Sequence, residues 1–231
     1  MKVSVIWICV FFLTILSFSF GQEAEEPTVE EIYLQSAEIR LIREQAVTVD
    51  RDMKLLALQN LKNMIEDGRV STGSPEAHYI LDYLAVEGIG NQIRENRRVI
   101  NYFPMVRKEA CYLLGELGGE ISKDTLLDVL NQEDEPMVKA EAAYALGKIG
   151  INENDEVARA LSYSIINQDA VNPDSNFAFA VLLSFEKIAK ANEGIEDPEA
   201  FRAIIRIAQG NYVRDVKRKA IEVMDLLRQY Q

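Results

Sequence analysis

The chain writes one helix twice. Met105–Gly119 reads MVRKEACYLLGELGG, and thirty-two residues further on Met137–Ile151 reads MVKAEAAYALGKIGI, with eight of the fifteen positions identical. At about 100° per residue, Val106, Ala110, Leu113, Leu114 and Leu117 fall on one helix face. Val138, Ala142, Ala145, Leu146 and Ile149 repeat that face. Gly118 and Gly150 stand at the helix ends, where a left-handed residue closes the last turn. Gly115 and Gly147 stand inside the helix, at a cost of ~1 kcal/mol each relative to Ala. A cost repeated at matching positions implies close approach by a neighbouring backbone.

The same apolar phase recurs from Met53, Phe177 and Val216, so copies begin at 53, 106, 138, 177 and 216. Other helices alternate with these. One carries Ile39, Ile42 and Ala46 on a single face. Ser74 with Pro75, Ser122, Asn154 or Asp155, and Asp197 with Pro198 are the expected starts of the rest. No strand is expected, because the apolar stretch 99–103 is isolated. A single helix pair cannot bury its stripe, whereas stacked pairs share a continuous core. The expected fold is all-α, an α-solenoid of about five helix pairs.

Leu126–Gly150, LLDVLNQEDEPMVKAEAAYALGKIG, resembles a HEAT-type repeat of the subgroup named after phycobilisome lyases. The resemblance rests on Pro136 after an acidic turn, Lys139, the Ala-rich second helix and the ending Leu146-Gly147-Lys148-Ile149-Gly150. The preceding copy matches through Pro104, Val106, Arg107 and Leu114–Gly118, while the third departs with Ala178 at the basic position. The resemblance implies a right-handed superhelix and a binding or scaffolding role rather than catalysis. It also implies that Arg107 and Lys139 each hold an acidic turn residue.

Residues 1–21 carry one Lys followed by an uncharged apolar run from Val3 to Phe20, with small residues at Ser19 and Gly21. This is the form of a bacterial Sec-type signal peptide, the alternative being an uncleaved membrane anchor. Residues 22–27 read as a short acidic linker and 28–231 as the solenoid. The expected location is the periplasm or the medium, or the membrane if the segment stays attached. The whole chain has a net charge of −12. Such a surface disfavours nucleic acid, and it disfavours anionic lipid apart from an uncleaved N-terminal segment. The basic run Arg214, Lys217, Arg218 and Lys219 reads as a polar cap on the end of the stack. Cys111 alone follows the apolar run, so no intramolecular disulfide is expected beyond it.

No catalytic constellation is legible and no cofactor or metal is expected. His78 is the only histidine, so zinc spacings cannot be built; it reads as a partly exposed helix residue. Cys111 matches Ala143 and reads as a small packing residue. Glu133, Asp134 and Glu135 read as a solvated turn. The expected partner is a protein or peptide, held on a groove of second helices where Tyr112 and Tyr144 recur, flanked by Glu109, Glu141, Glu116 and Lys148. The segment 88–105 interrupts a helix pair and carries Arg94, Arg97 and Arg98, a second contact suited to an acidic partner. Two rivals stand beside this scaffold reading: a lyase-like chromophore or cofactor handler, and an envelope-anchored structural protein.

Overall fold

The computed structural model describes residues 28–90 and 92–230. The expectations for 1–21 and 22–27 lie outside the described residues. Ser36–Gln231 form one compact unit. Of the preceding unit, Met1–Gln35, the described residues include only the start of helix α1, Val29–Val47. Nine further α-helices follow among the described residues: α2 Arg51–Glu66, α3 Pro75–Ala85, α4 Pro104–Leu117, α5 Gly119–Gln132, α6 Pro136–Ile149, α7 Glu156–Val171, α8 Ser175–Ala191, α9 Pro198–Gln209 and α10 Arg214–Leu227.

These helices stack as two rows. The second helices α2, α4, α6, α8 and α10 pack each on the next, and α3, α5, α7 and α9 form the other row. Each row neighbour is therefore two elements away in the chain, which is the stacking of an all-α solenoid. The stripes predicted from the repeat form its core. Val106, Ala110, Leu113, Leu114, Val138, Ala142, Leu146, Phe177, Val181, Phe185, Val216 and Ala220 are all buried. Each fully buried large aliphatic or aromatic side chain contributes about 1.5–3 kcal/mol.

The interior glycines have the expected cause. A Cβ on Gly115 would stand 2.8 Å from the Ala145 Cβ of α6, and one on Gly147 would stand 2.5 Å from the Ser184 Cα of α8. Ser184 uses the same approach to donate its hydroxyl to the Ala143 carbonyl at 2.5 Å. The rows of second helices thus touch backbone to backbone at α4–α6 and α6–α8.

Local starts differ from expectation at three places. Helix α5 begins at Gly119 rather than at Ser122, which is buried within it. Gly118 and Gly119 both take positive φ, 73° and 84°, and reverse the chain without a loop. Asp155 is the N-cap residue of α7, one of the two expected, but its side chain makes no cap bond: Asn152 Oδ1 accepts from Ala158 N at 3.0 Å, and Asp155 Oδ2 accepts from Glu196 N and Asp197 N. Ser74 precedes Pro75 as expected, but its hydroxyl accepts from Ser71 N and does not cap α3. Asp197 does cap α9, accepting from Glu199 N at 2.8 Å.

The expectation of no strand is corrected by a small hairpin, β1 Arg94–Glu95 paired antiparallel with β2 Arg98–Val99. Its turn places Asn96 and Arg97 at φ 48° and 67°. Two left-handed residues are what the favoured two-residue hairpin turn needs, with Arg97 where Gly is usual.

Two members of the basic run of α10, Arg218 and Lys219, are engaged in ion pairs. Lys219 reaches Glu186 of α8 at 2.5 Å, and Lys190 meets the same carboxylate at 2.5 Å. The hydrogen bond from Lys190, and then that from Lys219, hold Glu186 below its ordinary value of 4.5. A depressed folded value means the stabilisation is present above the unfolded value and is lost as pH falls through the folded one. Urea unfolding at successively lower pH below 4.5 should therefore show a loss of about 0.5 kcal/mol that Glu186→Gln removes. An identical pH profile in the variant would contradict this assignment.

Candidate functional site

The second-helix face of α4, α6, α8 and α10 is crossed by an open cleft of about 660 Å³. Met137 and Tyr144 come from α6, Phe179 and Leu183 from α8, and Val213 and Val216 from the start of α10. Lys108 of α4 and Glu141 of α6 close one side. Repeat geometry explains the grouping. Met137, Tyr144, Phe179 and Leu183 lie one or two positions away from the buried stripe, and so reach the edge of the face rather than the core. Met137, Tyr144 and Phe179 are each more than a third exposed.

Tyr144 stands under the Lys187 ammonium, 3.9 Å from the ring centroid. Tyr112 is not in the cleft. It lies beneath Lys62 of α2 at 5.2 Å and beside Glu116, and burial followed by the Glu116 charge raises its phenol above the ordinary range. Glu116 itself pairs with Lys148 of α6. Most of the expected groove residues therefore meet a neighbouring second helix: Tyr112 meets α2, Glu116 and Lys148 join α4 to α6, and Tyr144 meets α8. Among them, only Glu141 and Tyr144 line the cleft. Glu109 is half-buried, and its charge acts on Glu141. Phe179, Leu183 and Val213 were not singled out from sequence. Leu183 occupies the Tyr112/Tyr144 position of the fourth pair, and that phase could have found it.

Glu141 is the chemically distinctive group. Its side chain is 19% exposed, and among the described residues its ionic partner is Lys108 at 3.9 Å. Burial pushes its carboxyl up, Lys108 only partly opposes this, and Glu109 adds to it.

Arg94, Arg97 and Arg98 project from the hairpin, exposed. The hairpin stem is anchored internally. Asn101 is buried, accepts from Ile93 N at 2.8 Å and donates to Glu87 Oε1 at 3.3 Å. Gly88, at φ 77°, lies so close that an added Cβ would stand 2.3 Å from the Asn101 carbonyl oxygen. Tyr102 donates to Glu135 Oε1 at 2.9 Å, just ahead of α6. Hairpin and cleft therefore lie towards the same ends of the second helices. Gly88→Ala should loosen the hairpin, making residues 92–100 a preferred site of limited proteolysis while the helical content is retained. Unchanged cleavage kinetics would contradict the anchoring.

Beneath the hairpin runs a buried polar ladder. Arg107 donates from Nε and Nη2 to Glu133 at 2.6 and 3.1 Å, and from Nη1 to the Glu87 carbonyl at 3.0 Å. The acidic turn thus holds Arg107 as the repeat resemblance implies, but Glu133 is not solvated. It is 2% exposed, and its Oε1 also accepts from Asp134 N and Glu135 N. Lys54 of α2 makes the same bridge to Glu87 at 2.6 Å and donates to the Ala46 carbonyl at 2.7 Å. Lys139 departs from expectation. Its partner is the neutral Gln168 at 3.4 Å, and burial lowers its ammonium below the ordinary range despite Asp134 and Glu133. In the fourth pair the cation is gone as well, replaced by buried Ala178.

Among the described residues, His78 and Cys111 are enclosed. His78 is buried, not partly exposed as its helix position implied. Its Nε2 is 2.8 Å from the Thr72 carbonyl oxygen and Nδ1 is 3.4 Å from Ser122 Oγ. A carbonyl can only accept, so Nε2 carries a proton and donates to Thr72. Cys111 is fully buried, and burial pushes its thiol far above the ordinary range. A protonated, enclosed thiol is no nucleophile.

Residues 99–171 match the family model of the HEAT repeats. The match begins at Val99 in the hairpin and runs through α4, α5, α6 and α7, taking in Arg107, Glu133 and Lys139. No curated relative matches the chain. No helix among the described residues is long and apolar enough to cross a membrane. Repeats of this family commonly serve as protein-interaction scaffolds and are generally non-catalytic.

Proposed function

We propose that the protein is an exported, non-catalytic scaffold that holds a protein or peptide partner on the second-helix face. The observation that carries this reading is the cleft across α4, α6, α8 and α10, where Met137, Tyr144, Phe179 and Leu183 offer apolar surface on a rigid stack. Large aromatic anchors at the centre of a concave surface are where binding energy concentrates. The hairpin bearing Arg94, Arg97 and Arg98 is the second contact, suited to acidic groups of the same partner. Tyr112, Glu116 and Lys148 act by bracing the second helices that shape the face, and Glu109 adds negative charge beside Glu141. Enclosure of Cys111 counts against a lyase-like attachment chemistry.

Affinity capture with the mature chain tests the reading. Phe179→Ala and Tyr144→Ala should each weaken retention of the partner by tenfold or more, and combined neutralisation of the three hairpin arginines should weaken it further. Undiminished retention by the double cleft variant rejects the face. Export is tested separately by the mass of the mature chain. A start near Gln22 supports release into the periplasm or medium, and an intact Met1 favours the envelope-anchored alternative.

A further inference from the structure

The cleft has an electrostatic asymmetry that narrows its occupant. Its floor and far wall are apolar: Met137, Tyr144, Phe179, Leu183 and Val213. Two carboxylates line this space, Glu141 and Asp215, and Glu141 is the enclosed one. It is largely shielded from water, and its one ionic partner among the described residues lies at 3.9 Å, beyond hydrogen-bond reach. Glu109 adds negative charge behind it. Asp215 lines the opposite end and is shared with exposed Arg218. The two cations nearby are already oriented: Lys108 towards Glu141, and Lys187 over the Tyr144 ring. A desolvated carboxylate with a distant counter-ion is destabilised until a donor reaches it. The chain's net charge of −12 would draw a cationic segment towards it.

We infer that the cleft takes a peptide segment of a partner protein in which a Lys or Arg is flanked by apolar side chains, the cation meeting Glu141 and the apolar groups filling the space between Tyr144, Phe179 and Leu183. This rests on the reading of the second-helix face as the binding surface and specifies its ligand chemistry. An acidic segment is disfavoured by the same geometry, because it would place like charge beside the shielded Glu141.

The test uses three labelled amphipathic peptides of one length, built from Leu with Lys, Leu with Gln, or Leu with Glu. Fluorescence anisotropy is measured against the mature chain. The Leu/Lys probe should bind at least tenfold more tightly than the Leu/Gln probe, and the Leu/Glu probe should not bind. Glu141→Gln, nearly the same shape, should erase that tenfold preference. Glu76→Gln, an equal charge change on α3 in the other row, should leave it intact, which separates a cleft contact from bulk attraction. Glu141→Lys should transfer preference to the Leu/Glu probe.

The two readings fail differently. If probes bind and Phe179→Ala abolishes binding, but Glu141→Gln changes nothing, the ligand chemistry is overturned and the peptide cleft stands. If Phe179→Ala leaves Leu/Lys binding unchanged, the cleft is not the site and both are overturned. Sedimentation of the chain alone supplies the remaining arm. A Phe179-dependent dimer that excludes the probe assigns the cleft to a second copy and overturns the inference.

Discussion

Arg107→Ala should destabilise the protein by about 3–5 kcal/mol, the cost of leaving one member of a buried ion pair uncompensated. Arg107 is fully enclosed, and Glu133 accepts two of its donors. Without it the Glu133 carboxylate stays buried with only the Asp134 and Glu135 amides. The Glu87 carbonyl also loses its donor. Glu133→Ala should cost a similar amount for the converse reason. The double variant Arg107→Met with Glu133→Leu should recover much of either loss, because an apolar pair needs no compensation. The Lys139 rung supplies the contrast. Its ammonium is half-buried, lacks a carboxylate partner and is already lowered by burial. Lys139→Met should therefore be neutral or slightly stabilising. Urea denaturation at neutral pH measures all four. Equal losses for Arg107→Ala and Lys139→Met would show that the acidic turn contributes nothing specific.

Gly147→Val should be the more damaging change at the two interior glycines of the second-helix row, at about 3 kcal/mol or more once overpacking is set against the better helix propensity of Val. A Cβ at Gly147 would meet three atoms of Ser184, including its Cα at 2.5 Å. Backbone cannot rotate aside as a side-chain tip can, so α8 would have to move away from α6. That movement would also break the Ser184 hydroxyl bond to the Ala143 carbonyl. Gly115→Val should be milder only because the approach is less tight: a Cβ there would stand 2.8 Å from the Ala145 Cβ and 3.0 Å from its Cα, against 2.5 Å from the Ser184 Cα at Gly147. Since Tyr144 and Phe179 face the same cleft from α6 and α8, Gly147→Val should also lower cleft binding where it still folds. Thermal unfolding ranks the pair. A Gly147→Val variant as stable as wild type would remove the close approach from the account.

Much of the architecture was legible because repetition makes weak signals agree. The Val106 and Val138 stripes define a phase, and the fainter copies at 53, 177 and 216 inherit it. Paired interior glycines disclose a close contact that neither would disclose alone. Turns were less legible, because a charged residue in a loop looks the same whether solvated or buried. Glu133 is buried only because Arg107, twenty-six positions away, reaches it. Asn101 is likewise buried through Glu87, and the hairpin it anchors depends on Asn96 and Arg97 accepting a positive φ that their identity hardly announces. The site was half legible. Tyr144 and Glu141 follow from the repeat phase, whereas Phe179 occupies the position held by Lys108 and Ala140 in earlier copies. The same position changes from charged to apolar along the stack, and that change makes the cleft asymmetric.

Zero-length carbodiimide cross-linking with mass-spectrometric mapping tests most directly that the second helices form one row in chain order. The account predicts Glu116 joined to Lys148 and Glu186 joined to Lys219 along that row, with Lys123 joined to Glu156 between α5 and α7. Links that skip a helix pair, such as Glu116 to Lys219, or loss of all three expected links in the folded chain, would contradict the stacked arrangement and remove the cleft with it.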